Sequence, residues 1–428
     1  MAVLGMRGNG DWTTDQRPKN WREKVLQLYP NGDAPLTAIL SMMKSESTDD
    51  PEFNWWTKSL ATQKATVTSV YTSSNLGTEY TTGGAAGDTV YCKVATSAAV
   101  TQFRAGHQVL LRNSDNYADD TNGKVVGVVQ NGSSSYIAVT LLEADPTTTG
   151  LADCDTCLIV GNINAEGGVM PQAIAYDPTK HYNYTQIFRT PLSITRTARK
   201  TRLRTGDQYK EAKREALELH SIEMEKAFLW GIRTENTGSN GKPERTTAGL
   251  VRSIIDNSGN VSDFTTESGT AYAGKTWLEA GEEWLDAKLM EIFRYGGSDR
   301  LAFCGTNAIL AINKLVKEYG NYTLTNGMAE YGIKVKTWMT PFGDIHLKVH
   351  PLFSYESTDR ANMVIFDPKD LVFRYIDDTT FYKEGEKQNT GRGRIDGTDE
   401  EFLTEAGLEF HHYTKCGFLT GFGSDNTQ

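Results

Sequence analysis

Between Tyr182 and Ile194 the chain alternates: Tyr182, Tyr184, Phe188, Leu192 and Ile194 are apolar, and their odd-numbered neighbours are mostly polar. A period of two belongs to a strand with one covered face. Pro191 removes a ladder donor and puts that strand at a sheet edge or in an arm. The pattern then changes. From Arg202 to Trp230 there is no proline, and beyond Gly206 the run is rich in Glu, Ala, Lys and Leu, which predicts one long helix of roughly 40 Å at about 1.5 Å per residue. Ala212, Ala216, Leu219, Ala227 and Trp230 form one stripe, interrupted by Glu223, and Leu217, Met224 and Phe228 form a second, so the helix is expected to pack on two sides. Taken alone, such a helix is equally the core helix of an ordinary domain.

A second alternating stretch begins after Asp49, Asp50 and Pro51, with Phe53 and Trp55 on its apolar side. Its extension through Val67, Val70 and Tyr71 matches 182–194 in length, so the two are predicted to pair as legs of one long hairpin. Between the legs lie five short β-rich runs, 90–94, 107–112, 124–130, 136–142 and 157–161, with turn signals at Asn122-Gly123 and Asn131-Gly132. They predict a small inserted barrel or sandwich over 86–166.

Residues 1–50 read as an arm, in which Pro30 and Pro35 bracket a turn and Leu26, Leu28 and Leu36 are apolar. Past the long helix, 238–247 reads as a loop and 277–294 as an amphipathic helix with Trp277, Trp284, Leu285 and Ile292 on one side, stopped at Gly296-Gly297. A buried strand at 301–305, a helix at 307–317 and strands at 333–339, 345–349, 363–366, 371–376 and 408–413 complete the pattern. Helices on a mostly antiparallel sheet give an α+β class.

At 428 residues the chain is too long for one core, and two to four units are expected. No window approaches the ~18 continuous apolar residues of a membrane span, and the N-terminus lacks the pattern of a signal peptide, so synthesis in the cytoplasm is expected. Five cysteines at irregular spacing read as reduced thiols rather than a disulfide framework. The net charge of −10 makes the whole chain repel nucleic acid, so any such contact falls to local patches. One patch is Arg196, Arg199, Lys200, Arg202 and Arg204, whose charges oppose the dipole of the helix they precede. It is either solvated, paired with protein carboxylates, or set against a polyanion.

Catalytic chemistry finds little support. Cys154 and Cys157 have the spacing of half a zinc site, but no second pair follows. His411 and His412 on a strand would face opposite ways, and His346 and His350, four apart on a strand, would stand roughly 13 Å from each other. Glu282 and Glu283 read as the wet face of a helix, and Gly391, Arg392, Gly393 and Arg394 as a flexible basic loop. No nucleophile elbow, phosphate loop or dinucleotide fingerprint is present. No catalytic residue, metal or cofactor is therefore assigned, and the chain is not expected to be an enzyme.

The order of arm, two-legged excursion, long helix and α+β body resembles the Hong Kong 97-type major capsid protein of tailed bacteriophages. The wording is similar too, in Pro30-Asn-Gly-Asp-Ala-Pro-Leu36, Asp50-Pro-Glu-Phe-Asn-Trp-Trp56, Asn183-Tyr-Thr-Gln-Ile-Phe-Arg-Thr-Pro191 and Arg245-Thr-Thr-Ala-Gly249. The resemblance implies an N-terminal arm at 1–50, E-loop legs at 51–85 and 167–198, an inserted β-domain at 86–166, and a spine helix of the P-domain at 199–244. An A-domain at 245–350 and P-domain strands at 351–428 would follow. It further implies pentamers and hexamers closing an icosahedral head around double-stranded DNA, with portal and cement or scaffolding proteins as partners. Leu26, Leu28, Leu36, Phe53, Trp55, Tyr184, Phe188 and Arg189 are the expected inter-subunit residues, and Arg196 to Arg204 a salt-sensitive contact. A nanocompartment shell of the same fold, or a surface module whose β-domain binds glycan, are the competing readings.

Overall fold

The computed structural model describes residues 44–58, 61–146, 150–201, 207–319, 324–330, 333–354, 356–383 and 397–428. The arm residues Leu26, Leu28 and Leu36, the basic residues Arg202 and Arg204, and the loop 391–394 lie outside the described residues. The chain forms two compact units, one of residues 56–179 and one of the residues on either side.

Two short strands come first, β1 (Lys44–Ser47) and β2 (Glu52–Thr57). The inserted unit is a closed barrel of β3 (Lys64–Tyr71), β4 (Thr89–Val94), β5 (His107–Arg112), β6 (Thr121–Val129), β7 (Tyr136–Leu141) and β8 (Thr156–Asn162), in the order β3-β4-β7-β6-β5-β8. Alternate residues, among them Val67, Val90, Val109, Leu111, Val125, Ile137 and Val139, fill its interior, as a small barrel requires. The five runs seen in the sequence are β4 to β8. What they lacked was a sixth stave. β3, expected to continue a hairpin leg, instead bonds to both β4 and β8 and closes the barrel, which abolishes the free edges that five strands would leave. The inserted unit therefore starts near residue 56 and not at 86. Asn122-Gly123 is not a turn: Asn122 pairs with Leu110, and Gly123 with both Val109 and Leu141, within β6. Pairing on both sides overrides the local turn preference. At Asn131-Gly132 the turn forms, with Gly132 at φ +52°.

The second unit continues with β9 (Thr179–Tyr184), β10 (Gln186–Thr195), α1 (Arg196–Lys200), α2 (Gln208–Trp230), β11 (Thr234–Thr237), β12 (Pro243–Thr246), α3 (Leu250–Asn257), β13 (Val261–Asp263), α4 (Trp277–Phe293), β14 (Asp299–Cys304) and α5 (Thr306–Tyr319). The strands β15 (Leu324–Glu330), β16 (Ile333–Thr340), β17 (Gly343–Val349), β18 (Met363–Phe366), β19 (Leu371–Tyr382), β20 (Gly397–Phe410) and β21 (Gly417–Thr420) follow. They build a seven-stranded mixed sheet, β13-β21-β18-β14-β17-β16-β15, and a four-stranded sheet, β1-β19-β20-β10. β2 and β9 pair as a separate ribbon, and β11 and β12 form a hairpin where a loop was expected.

Successive residues of β14 enter opposite cores. Leu301 and Phe303 join Phe228, Leu250 and Ile254, whereas Ala302 and Cys304 join Trp284, Leu289 and Ile312. The sheet is thus covered on both faces, by α2 and α3 on one and by α4 and α5 on the other, which explains why β14 and β18 read as continuous apolar runs. α4 starts at a capping box of Thr276 and Glu279, the reciprocal arrangement that satisfies two orphan helix donors. The segment 351–428 does not form one domain, because β18 and β21 belong to the seven-stranded sheet and β19 and β20 to the other.

α2 is shorter than predicted, 23 residues starting at the cap Asp207, about 34 Å. Its covered stripe is the i+4 row Ala216, His220, Met224 and Phe228, joined by Glu225 and Leu229. Leu217 and Leu219, assigned to apolar stripes, are exposed. The row admits His220 because threonines on β10 and β20 bond both ring nitrogens, at 2.9 Å (Thr190) and 2.8 Å (Thr404). Hydrophobicity alone does not see such a residue. The even-numbered alternation holds along β10, where Phe188, Thr190 and Leu192 are buried, and Pro191 lies on an edge strand as expected. It fails earlier: at Thr185 the strand breaks and the phase shifts, so Asn183 and Thr185 are covered and Tyr182 is exposed.

Candidate assembly surfaces

Two of the segments that carried the family resemblance, 183–191 and 245–249, meet in one place. Asn183 Nδ2 donates to Thr247 Oγ1 (3.1 Å), Ala248 O (3.2 Å) and Leu408 O (2.6 Å), and its Oδ1 accepts the Ala248 N–H at 2.9 Å. Thr247 in turn donates its N–H to Gln186 Oε1 at 3.2 Å and accepts the Leu408 N–H at 3.2 Å. One buried amide thus ties β9, the α3 approach and β20 together, with its polar capacity satisfied. Gly249 sits where the chain passes closest: its N–H bonds Gly231 O at 2.8 Å, and a Cβ there would stand 2.7 Å from Gly231 N. Only glycine fits.

Beside this hub the β2–β9 ribbon carries an aromatic cluster. Phe53 and Trp55 stack at 6.0 Å, Trp55 and His181 at 6.1 Å, and His181 meets Tyr413 edge-on at 5.3 Å. Gly407 leaves the room for Phe53, whose ring would lie 2.8 Å from a Cβ at that position. Trp55, His181, Tyr182, Ile232, Phe410 and Tyr413 line a pocket of about 420 Å³, with Arg233, Arg252 and Asp256 among its other walls. Arg233 lies over the Tyr182 ring at 3.9 Å and donates to Tyr182 O at 2.8 Å, while Arg252 pairs with Asp256 at 2.9 Å. Burial and the nearby Arg233 and His411 push His181 below its usual value, which favours a neutral imidazole in the pocket wall.

Several residues expected to await a neighbour are covered by their own chain. Phe53 and Trp55 are buried, and Phe188 meets Phe228 edge-on at 6.1 Å in the central core. Arg189 forms a bidentate pair with Glu401 across the β10–β20 ladder, at 2.6 to 2.9 Å. Alternation told which residues face a partner surface but not whose surface it is. Tyr184 is half-buried, its ring edge-on to Tyr182 at 5.8 Å. The large apolar side chains left in solvent are others, including Trp56, Tyr117, Ile187, Ile232, Leu219, and above all Val169 and Met170. Trp56 could have been found by alternation, since it sits out of phase with Phe53 and Trp55.

The described part of the basic patch forms α1. Arg199 lies over the Tyr209 ring at 4.8 Å, and Arg196, Arg199 and Lys200 are exposed. Asp207 caps α2 by accepting the Tyr209 N–H, so the anionic compensation for the helix start comes from the chain itself. His411 and His412 follow the end of β20 rather than lying within it, with His412 at φ +52°. His350 is likewise past β17. No group of three His, Cys, Asp or Glu side chains among the described residues is placed to hold a metal ion, and no helix among them is long and apolar enough to cross a membrane.

The SU10 major capsid protein family model matches residues 8–423. The major capsid protein of Pseudomonas phage PaMx41 is 24% identical over 417 residues, covering 94% of this chain and 92% of that one. Among solved structures, the capsid of Myoviridae Phage XM1 has a TM-score of 0.40 at 10% identity, covering 94% of this chain and 96% of its own. A chain of Microbacterium phage Oxtober96 has a TM-score of 0.45 at 11% identity, covering 97% and 98%. A paired ribbon opening into an inserted unit, a long helix packed on sheet and a helix-flanked sheet make an α+β subunit. The chain belongs to the SU10 major capsid protein family. Its role is structural, in the virion capsid, which copies of it build together.

Proposed function

We propose that the chain assembles as pentamers and hexamers into the icosahedral head of a tailed phage and encloses its double-stranded DNA. The family match across residues 8–423 carries this reading. In it the β2–β9 ribbon and the inserted barrel serve as the E-loop, α2 as the spine helix of the P-domain, and the helix-flanked seven-stranded sheet as the A-domain. Synthesis falls in the host cytoplasm, and a portal with cement or scaffolding proteins completes the head. The chain acts through interfaces and catalyses nothing.

Exposed Arg196, Arg199 and Lys200, with Arg202 and Arg204 beside them in sequence, supply a cationic contact for a neighbour's carboxylates or the outermost DNA. Such a contact is screened within a Debye length of about 8 Å at physiological salt. The test is assembly of the purified chain, followed by light scattering and negative-stain imaging across a salt series. Particles or ring-shaped capsomers whose formation shifts with salt are expected. A stable monomer at every concentration and salt overturns the reading.

A further inference from the structure

We propose that Val169 and Met170 of one copy seat in the aromatic pocket of a second copy. This rests on the reading of the chain as a shell subunit and specifies which surfaces meet.

The segment between β8 and β9 has neither helix nor strand over residues 163–178. Within it Val169 is 95% and Met170 88% exposed. Isolated exposed apolar side chains are common, but two adjacent ones, almost wholly in water on irregular chain, forgo the stabilisation that burial would bring. The segment is also presented. A tight turn closes behind the pair, with the Gly168 N–H on Ala165 O at 3.1 Å and Gly167 at φ +67°. Ahead of it, Arg104 Nη1 holds Gln172 O at 2.6 Å. Nothing in that turn covers the two side chains.

The pocket is mixed in character: Trp55, His181, Tyr182, Ile232, Phe410 and Tyr413 supply its aromatic and apolar walls, and Asn183, Thr234, Ser253 and Asn257 polar ones. At about 420 Å³ it is as large as many ligand sites, and its rings suit an unbranched thioether, which fills irregular gaps and packs well against aromatic edges. Charge agrees as well. Glu166 and Asp177 flank the apolar pair, and residues 163–178 contain no Lys or Arg. The pocket walls carry Arg233 and Arg252 against Asp256, a balance of one positive charge. Opposite signs at the rim steer and orient the approach. The 163–178 segment and the pocket are different patches of the same chain, so the contact is heterologous. Repeated, it closes a ring when the rotation allows, as a capsomer requires.

The experiment mixes two single-cysteine variants, Met170→Cys and Ile232→Cys, before assembly and oxidises the particles mildly. The five native thiols are buried, so background crosslinking is low. A disulfide-linked dimer is expected from the mixture and from neither variant alone. A second variant, Met170→Asp, is expected to keep the wild-type melting curve, because the side chain is exposed, and to weaken assembly about tenfold or more. Particles that form without the crosslink, or from Met170→Asp as readily as from wild type, overturn this inference alone. A Met170→Cys/Ile232→Cys double variant whose bond in particles lies only within one chain does the same. Wild-type protein that forms no particles overturns the shell reading, and this inference with it.

Discussion

The imidazole of His350 meets the carboxylate of Glu225 at 3.0 Å, with both side chains sealed from solvent. His350 Nδ1 accepts the Leu352 N–H at 3.2 Å, so Nε2 carries the proton and donates it to the carboxylate. The ring is held between Phe303 at 5.0 Å and Phe353 at 5.8 Å. A buried carboxyl group on α2 is thereby fixed to the turn after β17, which ties the long helix to the sheet beneath it.

Glu225→Ala removes the acceptor and leaves a buried N–H, so it is expected to lower stability by about 3 kcal/mol. Glu225→Gln keeps an acceptor oxygen and is expected to lose less than half of that. Urea unfolding of the unassembled chain measures both, and equal losses would mean that the hydrogen bond is not what matters.

His220 gives a pH dependence. Burial pushes its imidazole below the ordinary value of 6.5, against an opposing effect of Glu223, and both ring nitrogens face threonine hydroxyls, with Thr404 Oγ1 bonded onward to Thr379 Oγ1 at 2.9 Å. The fold favours the neutral ring. Stability from this group is therefore complete above pH 6.5 and is lost as pH falls from there through the lower folded value. His220→Gln should flatten the slope of melting temperature against pH between about 6.5 and 5. An unchanged slope would assign the acid sensitivity elsewhere, His107 and His181 being other imidazoles lowered by burial.

The inserted barrel should fold alone if all six staves are present. Residues 56–179, expressed separately, are expected to give a cooperative unfolding transition. Residues 86–166 lack β3 and leave both β4 and β8 with an unpaired edge, so they are expected to aggregate or stay unfolded. Equal behaviour of the two fragments would show that β3 is dispensable.

All five thiols are buried and their ionisation is suppressed. Cys154, Cys304 and Cys416 are pushed up to about 12, and Cys92 and Cys157 are also raised, burial being the main cause throughout. The thiolate is the reactive form, so a thiol reagent at pH 8 should label none of them in the native chain and all five after denaturation. Rapid labelling of one would mark a site that opens locally.

Legibility differed by element. β10, α4 and the five runs that became β4 to β8 were readable, because each buries one face and writes its period into the sequence. Less readable was α2, whose covered row contains His220 and Glu225. Both are polar residues tolerated only because Thr190, Thr404 and His350 reach them from elsewhere in the chain. β3 was misassigned for a related reason: alternation is the same whether a strand extends a hairpin or closes a barrel. The candidate site suffered most. Phe53, Trp55 and Phe188 are expected from the sequence to face a neighbour, but the structure buries them in their own chain, whereas Val169 and Met170 lie in a stretch with no period at all.

The sequence by itself determined the α+β class, the inserted β-unit, the long helix and the family resemblance, since periodicity, turn chemistry and segment order are local properties of the chain. Which strands pair, where Asn183 sends its hydrogen bonds and which apolar side chains stay in water were decided only by the tertiary structure. Those outcomes join residues as far apart as Asn183 and Leu408, and no local pattern encodes a partner at that distance.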